Sequence, residues 1–517
     1  MTICTSLLLG LSFAFAGWQM PRIIARTCWN WSLLLLLDGA MPLMLFCLVA
    51  TLGARPVFAG FITFAIGSAY AYADRSKKIV LAEPIVFTDV FQAFDIFRHP
   101  GLALPFPHKG RIAAGVAAGL TLLVILFRAE APAWSWSLWP PLTVVALIMI
   151  TGWTLSGPLN RIAGRYLRRF PFSEDPCCDA VTMGPFATLL AYGILARAER
   201  SGRQDKACAA PVIASRAKIQ TSAKTPVVVI QCESFFDARR LHPDLAHLRL
   251  PTLDQCRTTS SQWGHLSVPS WGANTVRTEF AVLTGLEQQA LGLDRFNPYN
   301  RFANRPISSL AWQLREQGYR TICLHPFDRS FYGRDRVLPN LGFETFIGEE
   351  AFVGAPRVNG YISDIECARV ACEILSEEKN PVFLFVITME NHGPWPQAVA
   401  ASNSLLPASL DVPLSERDAL EHYLQSIGSA DLMLKKITNY LEPGGLLAFY
   451  GDHLPSFPAS FKHLGLQDTR SDYLIWRGGQ AGLNNKPPAI DIHAHDLGAA
   501  ILQAQQSSVM SSGRRPD

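Results

Sequence analysis

Long apolar runs with almost no charge dominate the chain up to about residue 157; from about residue 225, short apolar runs alternate with amphipathic stretches. The early runs predict membrane spans. Four of them, beginning at Ser32, Val57, Ile112 and Ser137, approach the roughly 20 residues that cross a hydrocarbon core as a helix. A first run, SLLLGLSFAFAGW, is shorter and reads two ways. It is a fifth span, or its AFA stretch before Gly17 is a signal-peptidase site; the missing basic n-region favours the span. Asp38, the one acid inside these runs, is expected to face the bundle interior in a pairing role. The stretch EPIVFTDVFQAFDIF reads equally as an interfacial segment or a structured loop.

The second rhythm predicts an α/β domain. PVVVIQCES, YRTICLHP, PVFLFVITMENH and GLLAFYGDH are apolar runs ended by polar residues, the pattern of strands buried on both faces. Helical spacing precedes the last three, in ISSLAWQLREQG, SDIECARVACEILSEEK and ERDALEHYLQSIGSADLMLKKITNYL. Such alternation predicts a largely parallel sheet with helices on both faces. The expected organisation is an all-α transmembrane domain over 1–158, juxtamembrane helices and a linker over 159–224, a catalytic α/β domain over 225–505, and a disordered tail over 506–517. The linker composition begins at Glu199.

Charge narrows the function classes. A net charge of +4, without a basic tract interleaved with aromatics, argues against nucleic acid. Eleven cysteines show no paired CxxC spacing of a metal site, and Cys177, Cys178 and Cys208 leave a disulfide undecided. Five spans with a cytoplasmic N-terminus put the large domain outside a bacterial cytoplasmic membrane, facing the periplasm or exterior. Arg75, Lys77, Lys78, Lys109, Arg111, Arg161, Arg165, Arg168 and Arg169 then also lie outside, against the positive-inside tendency. Either the topology is inverted or these cations meet lipid phosphates.

In parallel sheets, ligands bind beyond the carboxyl ends of the strands. The residues there are Glu233, His325, His392, Asp452 and His453. Glu233, Asp452 and His453 offer two oxygens and a nitrogen, a set suited to Mn²⁺, Mg²⁺ or Zn²⁺. The stretch SWGANTVRTEFAVLTG sets a small polar loop before an amphipathic helix. Asn274 and Thr275 are ordinary helix caps there, or Thr275 is a nucleophile and fourth metal ligand beside a helix N-terminus suited to phosphate.

The ordered motifs CESFFD, GANTVRTEFAVLTG, HPFDRSFYGRD, TMENHGPW and YGDH, after a membrane region, resemble the lipoteichoic acid synthase and phosphoglycerol transferase family of the alkaline phosphatase superfamily. The resemblance implies an alkaline-phosphatase-like fold and a divalent metal, Mn²⁺ first, held by Glu233, Thr275, Asp452 and His453. It implies Thr275 as nucleophile, chosen over Thr278 and Ser270 because it stands four residues before Glu279. Arg334 is implied as the phosphate-binding arginine and His325 as a pocket residue. His392 is assigned to the pocket and to proton transfer, while Asn274 and Tyr332 complete the substrate-binding set. Two departures bear on headgroup and acceptor: Asn274 stands where the synthases carry lysine, and Tyr332 where tryptophan is frequent.

The implied activity moves phosphoglycerol from phosphatidylglycerol to a periplasmic or surface glycan through a phosphothreonine intermediate. The rivals are a phosphoethanolamine transferase, a sulfatase-like hydrolase or phosphodiesterase, and a non-catalytic membrane scaffold. No Cys-x-Pro-x-Arg segment supports a sulfatase nucleophile; CRTTS at Cys256 is not one.

Overall fold

The computed structural model describes residues 2–28, 33–90, 109–135, 137, 139–157, 159–209, 225–396, 404–442, 444–479 and 487–512. Most of the linker, the second half of the EPIVFTDVFQAFDIF stretch and the last five residues lie outside them. The described residues divide into two compact units, one up to Gln204 and the other from Asp205 onward.

In the first unit, the helices Ile3–Ala25, Leu33–Gly53, Pro56–Leu81 and Lys109–Ala129 each hold a run long and apolar enough to cross a membrane. The helix Trp139–Ser156 contributes a shorter apolar stretch, Trp139–Trp153. By length, the expected five spans are therefore four and a shorter helix among the described residues. Pro140 and Pro141, which lack backbone donors, fall in the first turn of that helix, where their loss costs least.

Helices Ile3–Ala25 and Pro56–Leu81 meet through glycines. A Cβ on Gly60 would lie 2.1 Å from the Gly10 carbonyl oxygen, and one on Gly67 2.2 Å from that of Gly17. Small residues seven apart thus let two backbones touch. Asp38 is fully buried, as expected, accepting from Arg22 Nη1 and Trp18 Nε1 at 2.7 Å each and from Ala187 N at 3.0 Å. Such pairing is what makes a buried charge tolerable in this setting. Helices Asn160–Leu167, Pro176–Met183 and Pro185–Ala209 follow. The last runs eleven residues into the stretch read as linker, because Ala, Arg, Gln and Lys are good helix formers whatever their polarity. Cys177 and Cys178 are free thiols.

The second unit is built on β1 (Val227–Cys232), β2 (Gln262–Ser267), β3 (Arg320–Leu324), β4 (Thr345–Ile347), β5 (Arg357–Val358), β6 (Tyr361–Ile362), β7 (Val382–Ile387), β8 (Leu446–Gly451), β9 (Ser471–Arg477) and β10 (Ile492–His493). Eight of them form one sheet in the order β10-β2-β9-β8-β1-β7-β3-β4, while β5 and β6 make a separate hairpin. The central strands β8, β1, β7, β3 and β4 are parallel, and β9 runs antiparallel to both neighbours.

All six residues of β1 are buried. Val228, Ile230 and Cys232 join the core under helices Asp364–Glu377 and Arg417–Leu441, while Val227 and Val229 join the one under Thr275–Thr284, Leu310–Glu316 and Ala494–Ser512. Helices therefore cover both faces, as the alternation predicts. The tail differs from expectation. Leu497, Ile501 and Leu502 anchor a helix that continues to Ser512, through residues read as disordered, since buried apolar positions at helical spacing outweigh a polar end.

Candidate functional site

Strands β1 and β8 pair with Cys232 opposite Gly451, so their next residues, Glu233 and Asp452, emerge side by side at the carboxyl edge. Gly451 is required there: a Cβ would fall 1.8 Å from the Phe235 carbonyl oxygen. Glu233, Asp452 and His453 are buried, and their ligand atoms lie within 4.8 Å of one another. His453 Nε2 is 3.4 Å from Glu233 Oε1 and 3.3 Å from Asp452 Oδ2.

The donor set fits a divalent cation on three observations. Asp452 Oδ2 is buried with no hydrogen-bond partner, an expensive state for a carboxylate oxygen unless a cation faces it. Its Oδ1 accepts from Ser234 N and His453 N, at 2.8 and 3.0 Å, which aims Oδ2 at the cluster. His453 Nδ1 lies 3.0 Å from the Leu454 carbonyl oxygen, a bond that puts the proton on Nδ1 and leaves Nε2 as a ligand. Crowding shows in the protonation energetics too. Burial, then the charge of Glu233, pushes Asp452 up to about 7. Burial alone would lower His453, but the carboxylates of Asp452 and Glu233 outweigh it and raise its pKa.

Thr275 begins the helix Thr275–Thr284, with Asn274 at the N-cap in left-handed backbone, φ 65°. The Asn274 side chain does not cap this helix, so the ordinary capping role is not the one it plays. Thr275 Oγ1 is 3.5 Å from both Glu233 Oε2 and His453 Nε2. The neighbouring hydroxyls are committed: Ser270 Oγ donates to Asn274 O at 2.9 Å, and Thr278 Oγ1 to Asp452 O at 2.7 Å. Ser234, Asn274 and Tyr332 all sit at positive φ, and such strain of about 1–3 kcal/mol per residue clusters where side chains must be aimed.

Arg334 lies in a buried network. Its Nε and Nη2 donate to the Glu279 carboxylate at 3.2 and 2.8 Å, and its Nη1 to His325 Nε2 at 3.2 Å. Glu279 also accepts from Tyr299 and, at 3.1 Å, from Gln231 Nε2. His325 is held neutral, first by burial and then by the Arg334 charge, with a smaller push from His392. The Tyr332 ring centroid is 5.5 Å from the Arg334 guanidinium carbon. Burial, against the pull of Arg334 and with the push of Glu233 and Asp452, takes its hydroxyl up to about 12. His392 is half-buried in the loop after β7, against Tyr361 and the Gly393 carbonyl.

Sequence reasoning missed Ser234, which donates to Glu233 Oε1 at 2.9 Å and orders Asp452, and Glu279 as the anchor of Arg334. Ser234 directly follows Glu233 and was open to notice; nothing in the sequence pairs Glu279 with Arg334. Cys256, the residue of CRTTS, is buried, and burial takes its thiol up to about 12, far from a nucleophile's range.

The sulfatase family model matches residues 225–506, and the chain belongs to that family. Among curated proteins it is similar to the capsular polysaccharide biosynthesis protein RkpI of Rhizobium meliloti (strain 1021), 30% identical over 448 residues that cover 81% of this chain and 77% of the relative. A putative cyclic beta-1,2-glucan modification protein of the same organism is 27% identical over 415 residues, 76% of this chain and 63% of that protein. The fold is similar to that of the Streptococcus pyogenes phosphoglycerol transferase GacH in complex with sn-glycerol-1-phosphate, at 22% identity and a TM-score of 0.43 over 63% of this chain and 87% of the other.

Proposed function

We propose that the protein is a membrane-anchored, metal-dependent phosphoglycerol transferase that moves phosphoglycerol from phosphatidylglycerol to a hydroxyl of a periplasmic or surface glycan. The observation that carries this reading is the Thr275 hydroxyl, 3.5 Å from two members of the metal cluster while the other hydroxyls of its loop are committed. Glu233, Asp452, His453 and Thr275 would hold the cation, manganese first. When bound, the cation supplies positive charge that favours ionisation of the threonine hydroxyl and offsets charge on the phosphoryl oxygens.

The chain's own residues do the rest. Thr275 Oγ forms a bond to phosphorus as the bond to diacylglycerol oxygen breaks; the threonine proton leaves to solvent, and His392 protonates the departing oxygen. In the second step a glycan hydroxyl attacks the same phosphorus and gives its proton to His392 as the bond from Thr275 Oγ to phosphorus breaks, and Thr275 Oγ takes a proton back from solvent. A guanidinium carries five N–H donors, and Arg334 uses three on Glu279 and His325, so two remain for a phosphoryl oxygen. His325, neutral, steadies that guanidinium. Asn274 and Tyr332 border the phosphoryl group, with Asn274 supplying an uncharged donor in place of a lysine. Relatives named for capsular polysaccharide and cyclic glucan support a glycan acceptor. The four apolar spans support a donor drawn from the bilayer.

Diacylglycerol release by the purified full chain, from vesicles carrying phosphatidylglycerol or phosphatidylethanolamine with Mn²⁺, tests the donor. Release from phosphatidylglycerol is expected; release confined to phosphatidylethanolamine overturns that donor and makes the protein a phosphoethanolamine transferase.

A further inference from the structure

The loop after β7 carries His392, and it is held at both ends by one short segment, residues 361–364. At the near end, Asp364 N donates to Glu390 Oε2 at 2.7 Å, and both residues are buried. At the far end, the Tyr361 hydroxyl donates to Gly393 O at 3.0 Å and lies 3.4 Å from His392 Nδ1. The Tyr361 and His392 rings are 5.5 Å apart. His392 Nδ1 itself rests against the same Gly393 carbonyl. Two donors, a phenol and a ring N–H, thus converge on one carbonyl oxygen, which has lone pairs for both.

This convergence selects a tautomer. With a proton on Nδ1 the contact to Gly393 O is a hydrogen bond; without it, two acceptors would face each other. Nε2 is therefore the nitrogen left to exchange a proton with a substrate oxygen. Tyr361 is suited to a fixed donor's part. It is 9% exposed, and burial, then the charge of Glu233, raises its hydroxyl so that it stays protonated.

We infer that Tyr361 is a positioning residue, whose hydroxyl anchors the Gly393 carbonyl and through it fixes the ring plane and tautomer of His392 for proton exchange at Nε2. The catalytic consequence rests on the phosphoglycerol-transfer reading; the tautomer does not.

Tyr361→Phe tests this in the full chain, since it deletes one oxygen and keeps the ring. In diacylglycerol release, kcat is expected to fall about 10- to 100-fold, part of the 10²–10⁴-fold that general acid–base catalysis supplies, at near-constant KM and bound manganese. In a His392→Ala background, Tyr361→Phe is expected to add nothing. An unchanged kcat, or the same fall in both backgrounds, overturns the inference. The second measurement needs no activity: nitrogen NMR of ¹⁵N-histidine-labelled full chain, with the His392 signals assigned by their loss in His392→Gln. The parent is expected to keep Nδ1 protonated while Nε2 gains and loses its proton with pH, and Tyr361→Phe to show a mixture of tautomers. A parent with Nδ1 unprotonated, or identical spectra, overturns the inference even where the parent transfers nothing, so failure of the proposed function is read separately.

Discussion

Ser270, Thr275 and Thr278 are three hydroxyls on one loop and helix start, and their surroundings separate them. Two donate to backbone carbonyls, while Thr275 faces Glu233 and His453. At this scale the sequence is informative where chemistry sits at strand ends. Glu233, Asp452 and His453 follow apolar runs, so their convergence is legible before any coordinates. Glu279 and Tyr361 are not legible in that way, because a buried polar contact between distant segments leaves no periodicity behind. Glu233→Ala removes one carboxylate from a cluster whose fit rests on three residues. Metal analysis of the purified chain is expected to show manganese near one per molecule in the parent and well below that in the variant; equal metal content would mean that the cluster does not hold the ion.

Elements carry these residues, and two buried ionic networks brace them. Arg334 and Glu279 are 2% and 0% exposed, so deleting one partner strands a buried charge. Glu279→Ala is expected to lose about 3–5 kcal/mol of stability, read as a lower denaturation midpoint, whereas an exposed pair would lose under about 1 kcal/mol. The second network follows β1. Asp237 binds Arg239 and Arg257, while Asp472 on β9 binds Arg257 and Arg240. Burial opposes the charge on Asp237, yet the hydrogen bond from Arg239 and the charge of Arg257 outweigh it and hold its pKa at about 2, below the usual 3.8.

A carboxylate whose pKa is lower folded than unfolded contributes stability that is present above the unfolded value and lost as pH falls through the folded one. Acid unfolding is expected to steepen between about pH 4 and 2, and Asp237→Asn to flatten that limb. Of the fold, the four strands read from apolar runs are the adjacent centre of the sheet, β8-β1-β7-β3. The outer strands escaped because they are short, as β4 and β10 are, or only partly buried, as β2 is. β9 is fully buried, but its charged residues, Asp472 and Arg477, interrupt the apolar run and hid it.

At the scale of the whole molecule, an apolar helical unit and a sulfatase-family domain share one chain. The proposed lipid donor would give that combination a physical purpose. Tethering a site to the bilayer raises the effective concentration of anything confined to the same bilayer, without a single added contact. The central claim is that Thr275 carries phosphoglycerol between donor and acceptor. Its most direct test is the intact mass of the full chain after incubation with Mn²⁺ and phosphatidylglycerol, without acceptor, beside Thr275→Ala. A gain of one phosphoglycerol group in the parent and none in the variant is the predicted result. The same adduct on Thr275→Ala, or none on a parent that releases diacylglycerol, would contradict it.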